Sequence, residues 1–162
     1  MTVPVAPSLR AARWLALALP LAALAGAYIS QYGFGLVPCE MCWWQRYPHM
    51  IALIFAVLAF FWRPVRPLVA VAALGILASG LIGGFHAGVE YGWWKGLTAC
   101  TASPIAAGVD PLDAILKAPV VRCDQVQWSL FGISLAGWNF LFSIGGALAV
   151  FALLTRSGKA GR

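Results

Sequence analysis

Long apolar runs separated by short polar segments dominate this chain. Four apolar stretches stand out, Trp14 to Ser30, Trp43 to Phe61, Leu68 to Val89 and Ile133 to Leu154, uncharged except for Arg46 in the second. Each is near the ~20 residues that a helix needs to cross the hydrocarbon core of a bilayer. The pattern predicts one domain over residues 1–162, an all-α integral membrane protein built as a four-transmembrane-helix bundle. Trp62-Arg63-Pro64-Val65-Arg66-Pro67 reads as a short water-facing connection, because two prolines and two arginines interrupt the apolar pattern there. The second and third helices are therefore expected to be antiparallel neighbours.

Between the helices lie a loop over residues 31–42 and a long one over 90–131. Within the second, Pro111 to Lys117 alternates apolar and polar faces, and Trp93, Trp94 and Trp128 flank it. A short interfacial helix on the membrane surface is expected there. The first apolar stretch follows Arg10 and Arg13 and contains Ala25-Gly26-Ala27, which fits the cleavage pattern of a secretion signal. It continues through Tyr28 and Ile29, longer than a signal core, so the expectation is a retained helix, locally kinked at Pro20. The small residues Ala22, Ala23, Ala25, Gly26 and Ala27 would let another helix approach closely, as would Gly83, Gly84 and Gly88 in the third helix and Gly145 and Gly146 in the fourth.

Composition agrees with lipid as the solvent: 62% of the 162 residues are hydrophobic and 10% charged, too little polar surface to hide that core in a soluble domain of this size. The formal net charge of +6 first suggests an acidic partner. Its distribution argues otherwise, and no nucleic-acid partner is expected. Arg10, Arg13, Arg63, Arg66, Arg156, Lys159 and Arg162 fall before the first helix, between the second and third, and after the fourth. The other segments mix Arg46, Lys95, Lys117 and Arg122 with all five acids, Glu40, Glu90, Asp110, Asp113 and Asp124. The positive-inside rule then puts both termini in the cytoplasm and both cysteine-bearing loops outside it, where disulfides persist.

Four cysteines carry the chemistry. Cys39 and Cys42 form a CxxC at the mouth of the second helix, whereas Cys100 and Cys123 share the long loop, 22 residues apart. A CxxC can switch between dithiol and disulfide, so two pairs on one side of a membrane suggest a thiol/disulfide relay. Four cysteines allow three connectivities. Cys42, Gln45, Arg46 and His49 recur at i, i+3, i+4, i+7 and so share one face. The helix dipole and the Arg46 guanidinium both favour a Cys42 thiolate, which makes Cys42 the expected activated cysteine. Arg46 inside an apolar boundary needs a partner, either a thiolate or a bound anion, unless it snorkels to lipid phosphates.

Four thiolates could instead hold zinc, although Cys100 and Cys123 depart from paired CxxC spacing; the expected metal is none. Haem attachment would need C-x-x-C-H, and Trp43 follows Cys42. Inert structural cysteines are the remaining alternative. Neither His49 nor His86 sits at ligand spacing from the pairs, and each is as readily structural as functional.

Pro38-Cys39-Glu40-Met41-Cys42-Trp43-Trp44-Gln45-Arg46-Tyr47-Pro48 resembles the signature of the disulfide bond formation protein B (DsbB) family, and Cys123-Asp124-Gln125-Val126-Gln127-Trp128 also matches its pattern. The resemblance spans nearly the whole chain. It implies a bacterial inner-membrane enzyme that reoxidises a periplasmic DsbA-type thiol oxidase and passes the electrons to membrane quinone, ubiquinone or menaquinone. It also implies that Cys100 and Cys123 form the disulfide attacked by the partner, Cys100 carrying the mixed disulfide. Exchange with Cys39 and Cys42 would pass through a transient bridge between Cys39 and Cys123. Cys42 and Arg46 would face the quinone, with His86 near that site and Trp128 either a wall of the pocket or an interfacial anchor. Gln45 departs from members that carry an acid there, and Glu40 lies inside the CxxC, which bears on redox poise. A relay of the vitamin K epoxide reductase kind is a more distant resemblance, since its loop pair usually precedes the CxxC.

Overall fold

The computed structural model describes residues 6–97 and 121–159, so Cys100 and the expected surface helix over Pro111 to Lys117 lie outside the described residues. Four helices make up almost all of the rest: α1 (Pro7–Gly33), α2 (Glu40–Phe61), α3 (Val65–Glu90) and α4 (Leu135–Lys159). They run past the ends of the apolar stretches because backbone hydrogen bonding continues into water after the hydrocarbon ends. Consequently Gln31 is helical, and the first loop shrinks to residues 34–39.

Three helices among the described residues are long and apolar enough to cross a membrane: α1, α3 and Leu135–Ser157 of α4. The four expected from the apolar runs include α2, whose first half is diluted by Gln45, Arg46, Pro48 and His49. Those residues turn out to be turned inward. Gln45, Arg46 and His49 are all buried.

Local sequence explains how each helix begins and ends. Pro7 sits at the start of α1, where a missing N–H costs nothing. Gly35 takes φ +70° just after that helix, and the Leu36 N–H returns to the Ser30 carbonyl, closing its C-terminus. Ser134 caps α4 by accepting the Gly137 N–H at 3.1 Å. Before it, Ser129–Leu130 (β1) pairs antiparallel with Ile133–Ser134 (β2). This small hairpin, absent from the all-α expectation, turns at Phe131 and Gly132. Both have positive φ, as a tight two-residue turn of matching twist requires. The Tyr91 hydroxyl locks it to the end of α3, accepting from Ser134 N at 2.8 Å and donating to Gly132 O at 3.2 Å.

Within the bundle α3 packs most extensively, against α2 and α4, while α1 lies against α2 and α4 with a lighter contact to α3. The expected antiparallel pairing of α2 with α3 is present. One end of the bundle is filled by small side chains: Ala12, Ala16, Ala52, Ala56, Ala59, Ala72, Ala73 and Ala147 are buried there with Val69, Ile76 and Val150. Close approach also explains Gly75, whose missing Cβ would stand 2.9 Å from the Pro48 carbonyl. Arg66 donates to the Leu154 carbonyl at 3.0 Å and Arg13 to the Ala59 carbonyl at 3.4 Å, so cations cap the negative C-terminal ends of α4 and α2.

The expectation for the small residues holds at some positions and is corrected at others. Gly83 abuts Asn139 and the Ala136 carbonyl, Gly84 abuts Phe140, Gly88 the Trp94 ring and Gly146 Leu19. Gly145 meets nothing within 4 Å. Gly26 likewise faces open space, and Ala22, Ala23, Gly26 and Ala27 line a cavity instead of seating a helix. The buried positions of α1 are Ala12, Ala16, Pro20 and Leu24 instead.

Candidate active site

At the opposite end from the arginines, α2 begins with the CxxC. Cys39 is its extended N-cap residue, and its Sγ accepts the Cys42 N–H at 3.3 Å, the role usually played by a serine or aspartate oxygen. Cys42 sits in the first turn, 3.1 Å from Cys39 sulfur to sulfur, with Cys39 donating. That hydrogen bond, together with burial, holds the Cys39 thiol well above the usual thiol range. The anionic character therefore belongs to Cys42, which is half-buried where Cys39 is 1% exposed.

Cys123 returns to this point from the second loop. Ligand-type atoms of Cys39, His86 and Cys123 all lie within 4.8 Å of one another, and all three residues are buried. The loop is pinned nearby: Gln127 donates to the Val37 carbonyl at 2.9 Å, and Arg122 makes a two-pronged pair with Asp124 at 2.6 and 2.8 Å. The hydrogen bond from Arg122 lowers the Asp124 carboxyl below the ordinary range, although that pair is exposed and screened.

His86 stands against the CxxC. Gln45 Nε2 donates to His86 Nδ1 at 2.9 Å, so the ring proton of the neutral imidazole sits on Nε2. That nitrogen faces Cys39 Sγ at 3.6 Å and the Glu90 carboxylate at 3.8 Å. The amide orientation of Gln45 follows from its neighbours: its Nε2 also reaches the Met41 carbonyl at 3.1 Å, and its Oε1 accepts from Asn139 Nδ2 at 2.9 Å. Asn139 Nδ2 further reaches Ser79 Oγ and the Ser79 carbonyl, both at 3.2 Å. Asn139 Oδ1 accepts from His49 Nε2 at 3.0 Å and from Ser143 Oγ at 2.8 Å. A continuous buried chain of polar groups thus joins α2, α3 and α4, running inward from Cys39.

Arg46 points another way. Its guanidinium donates to Gln31 Oε1 at 2.6 Å and to the Ala27 carbonyl at 3.3 Å, and it packs over the rings of Tyr28 and Trp43, each 4.9 Å from centroid. At 6% exposure it does not snorkel to lipid phosphates. Its direct hydrogen-bond partners are on α1, and its charge also acts on Cys42 one turn away. The residues that share a face with it nonetheless converge.

They converge on a cavity of about 490 Å³ between α1, α2 and α4. Cys39, Cys42, Arg46, His49 and His86 line it, with Gln127, Trp128 and Trp138 on the loop side and Ala22, Gly26 and Phe142 on the walls of α1 and α4. A mostly apolar wall carrying a few convergent polar groups suits a lipid-soluble ring. The structure therefore brings Cys39, Cys42, Arg46, His86 and Trp128 together around one space, with Cys123 behind Cys39 and His86 and outside the cavity's lining. Cys100 lies outside the described residues.

Sequence reasoning passed over Glu90 and Asn139 and gave Gln45 no role in holding the site. Asn139, a lone amide in the apolar run that became α4, had a readable signal, since intramembrane polar groups demand a partner. Glu90 had none, because it sits where helix gives way to loop.

A family model described as "Disulfide bond formation protein DsbB" matches residues 9–153. Among curated proteins, one named disulfide bond formation protein B from Actinobacillus pleuropneumoniae is 30% identical over 94% of this chain and 90% of its own length. Another of that name from Marinobacter nauticus is 29% identical, over 82% of this chain and 84% of its own. An uncharacterized protein, RP370, from Rickettsia prowazekii is 24% identical over 78% and 76%. No solved structure matches.

Proposed function

The chain belongs to the DsbB family, and from that premise we propose that it is an inner-membrane thiol:quinone oxidoreductase of four membrane-spanning helices, with both termini cytoplasmic and its cysteine loops periplasmic. It reoxidises a DsbA-type thiol oxidase and delivers the electrons to membrane quinone. The observation that carries this reading is the meeting of Cys39 and Cys123 beside His86, within 4.8 Å, at the mouth of an apolar cavity.

The partner's thiolate attacks the Cys100–Cys123 disulfide, forms a mixed disulfide with Cys100 and releases Cys123 as a thiolate. The partner's second thiolate then resolves the mixed disulfide, leaving partner oxidised and Cys100 reduced. The Cys123 thiolate attacks Cys39 of an oxidised Cys39–Cys42 pair. One S–S bond forms between Cys39 and Cys123, one breaks, and Cys42 leaves as a thiolate, the better leaving group because the helix N-terminus and Arg46 favour its charge. Attack by Cys100 on Cys123 restores the loop disulfide and leaves Cys39 and Cys42 reduced. The quinone, ubiquinone or menaquinone, supplies the sink for two electrons and two protons. Cys42 and Arg46 would hold it at the cavity mouth, with Trp128 on the loop side and the alkyl wall of α1 and α4 keeping water out.

Cys39, His86 and Cys123 are also a soft-metal donor set, and this favours a second reading as a metal site. Anaerobic mixing of the purified protein with a reduced DsbA-type oxidase and a ubiquinone analogue separates the two. The relay requires loss of quinone absorbance that depends on all four cysteines. Stoichiometric zinc in the same sample without quinone reduction would replace the relay with the metal site.

A further inference from the structure

Exchange between the two cysteine pairs needs Cys123, on a loop, to stand against Cys39, on a helix, and the side chain beside both is His86. Its ring is 2% exposed, and ligand-type atoms of the three residues lie within 4.8 Å of one another. Gln45 makes that ring a donor in one direction only. The Gln45 amide is fixed, since its Nε2 reaches the Met41 carbonyl at 3.1 Å and its Oε1 accepts from Asn139 at 2.9 Å, so Nε2 donates to His86 Nδ1 at 2.9 Å. The one ring proton of the neutral imidazole then sits on Nε2.

Three groups face that proton. Glu90 Oε1 at 3.8 Å lies beyond hydrogen-bonding length, and Cys39 Sγ at 3.6 Å is a weak acceptor. The third is the main chain of Cys123, with which His86 makes a hydrogen bond. A nitrogen that can only donate must bond the carbonyl there. One buried imidazole thus ties the backbone of the loop cysteine to α3 while lying against the sulfur of the helix cysteine. Val121 adds an apolar hold, packed in one cluster with Cys39, Met41 and Val89.

We infer that His86, kept as an Nε2–H donor by Gln45, is a positioning residue that seats Cys123 for its attack on Cys39. This rests on the relay reading above. In the step it serves, the Cys123 thiolate forms an S–S bond to Cys39, the Cys39–Cys42 bond breaks, and the electron pair leaves on Cys42. The histidine gains and loses nothing. Reacting atoms must close to roughly 3–3.5 Å, and a loop peptide already held beside Cys39 has less conformational freedom to lose on the way.

The test is the effective concentration of each thiol pair, measured in glutathione redox buffers on the detergent-solubilised full chain, with a metal chelator present so that thiol pairing alone is read. Cys42→Ser with Cys100→Ser leaves only Cys39 and Cys123, and Cys100→Ser with Cys123→Ser leaves only the CxxC. In the first background His86→Leu is expected to lower the effective concentration about five- to tenfold, the fold-change of one hydrogen bond. His86→Gln, whose amide N–H can stand in for Nε2–H, should recover part of the loss, and Gln45→Leu, which frees the ring tautomer, should cost a few-fold. In the CxxC background His86→Leu should leave the value nearly unchanged. An equal loss for both pairs would make His86 a packing residue between α2 and α3 and overturn the seat. So would an unchanged Cys39–Cys123 value in folded His86→Leu, while quinone turnover by the four-cysteine chain kept the relay standing. No Cys39–Cys123 disulfide in any buffer with His86 in place, and no quinone reduction by the four-cysteine chain, would overturn the relay reading and the seat with it.

Discussion

The two ends of this bundle are built on opposite principles from the same four helices. At the arginine end, alanines and Gly75 let the backbones close until no space is left, and Arg13 and Arg66 cap the helix ends that reach it. At the cysteine end the same helices stand apart around a cavity. Their interior faces carry Gln45, His49, His86 and Asn139, each engaged by a hydrogen bond. Packing supplies rigidity at one end so that the other can hold open a polar, reactive space. A bilayer gives no hydrophobic drive between helices, so the contacts come from close approach, chiefly at the arginine end, and from interhelical hydrogen bonds, chiefly at the cysteine end, where Gly83 and Gly84 still bring α3 against α4.

Cysteine substitutions break this comparison most severely. Cys42→Ser is expected to abolish electron delivery to quinone while the partner still forms its mixed disulfide, whereas Cys100→Ser prevents that disulfide from forming at all. Non-reducing electrophoresis with quinone turnover separates the two, and identical behaviour would sink the two-stage relay. Next in size is the difference between the CxxC thiols. Cys39 keeps its proton because it donates to Cys42 and is buried, and a thiol held above its ordinary range is protonated, hence unreactive, at neutral pH. In the reduced protein, iodoacetamide at pH 7 should modify Cys42 at least tenfold faster than Cys39, with Cys39 joining only under alkaline conditions. Peptide mass mapping with pH checks it, and equal rates at pH 7 would remove the asymmetry.

Two glycines sharpen the contrast at smaller magnitude. Gly75→Val would drive a Cβ into the Pro48 carbonyl and Ala52, both about 3 Å away. A cost of about 1–3 kcal/mol is expected, as for other overpacked sites, read as a lowered Tm in detergent. Gly26→Ala, on a helix face with nothing within 4 Å, should leave Tm unchanged or slightly raised, since alanine favours helix by up to ~1 kcal/mol. It should nonetheless reduce quinone affinity two- to threefold, because the added methyl enters the cavity. A matching loss of stability at both positions would mean that the cysteine end is packed as tightly as the other.

Much of this was legible along the chain. Apolar runs, the arginine-proline turn and the spacing of Cys42, Gln45, Arg46 and His49 announced the helices and one inward face, because period and hydropathy are properties of local sequence. Small residues were legible as small but not as to purpose: Ala16 and Gly26 look alike in a string, yet one is sealed in the core and the other borders open space. The partner of Arg46 was equally invisible, since Gln31 and Ala27 belong to another helix, and so was the return of Cys123 to Cys39.

The sequence by itself determined the helical class, the membrane as solvent, the segregation of charge and the reactive residue types. Each follows from composition or from spacing within one segment. Only the tertiary structure decided which groups meet: Cys39 with Cys123 and His86, Gln45 with Asn139, His49 with Ser143. Contacts between segments far apart in the chain depend on how four helices pack, and no single segment encodes that.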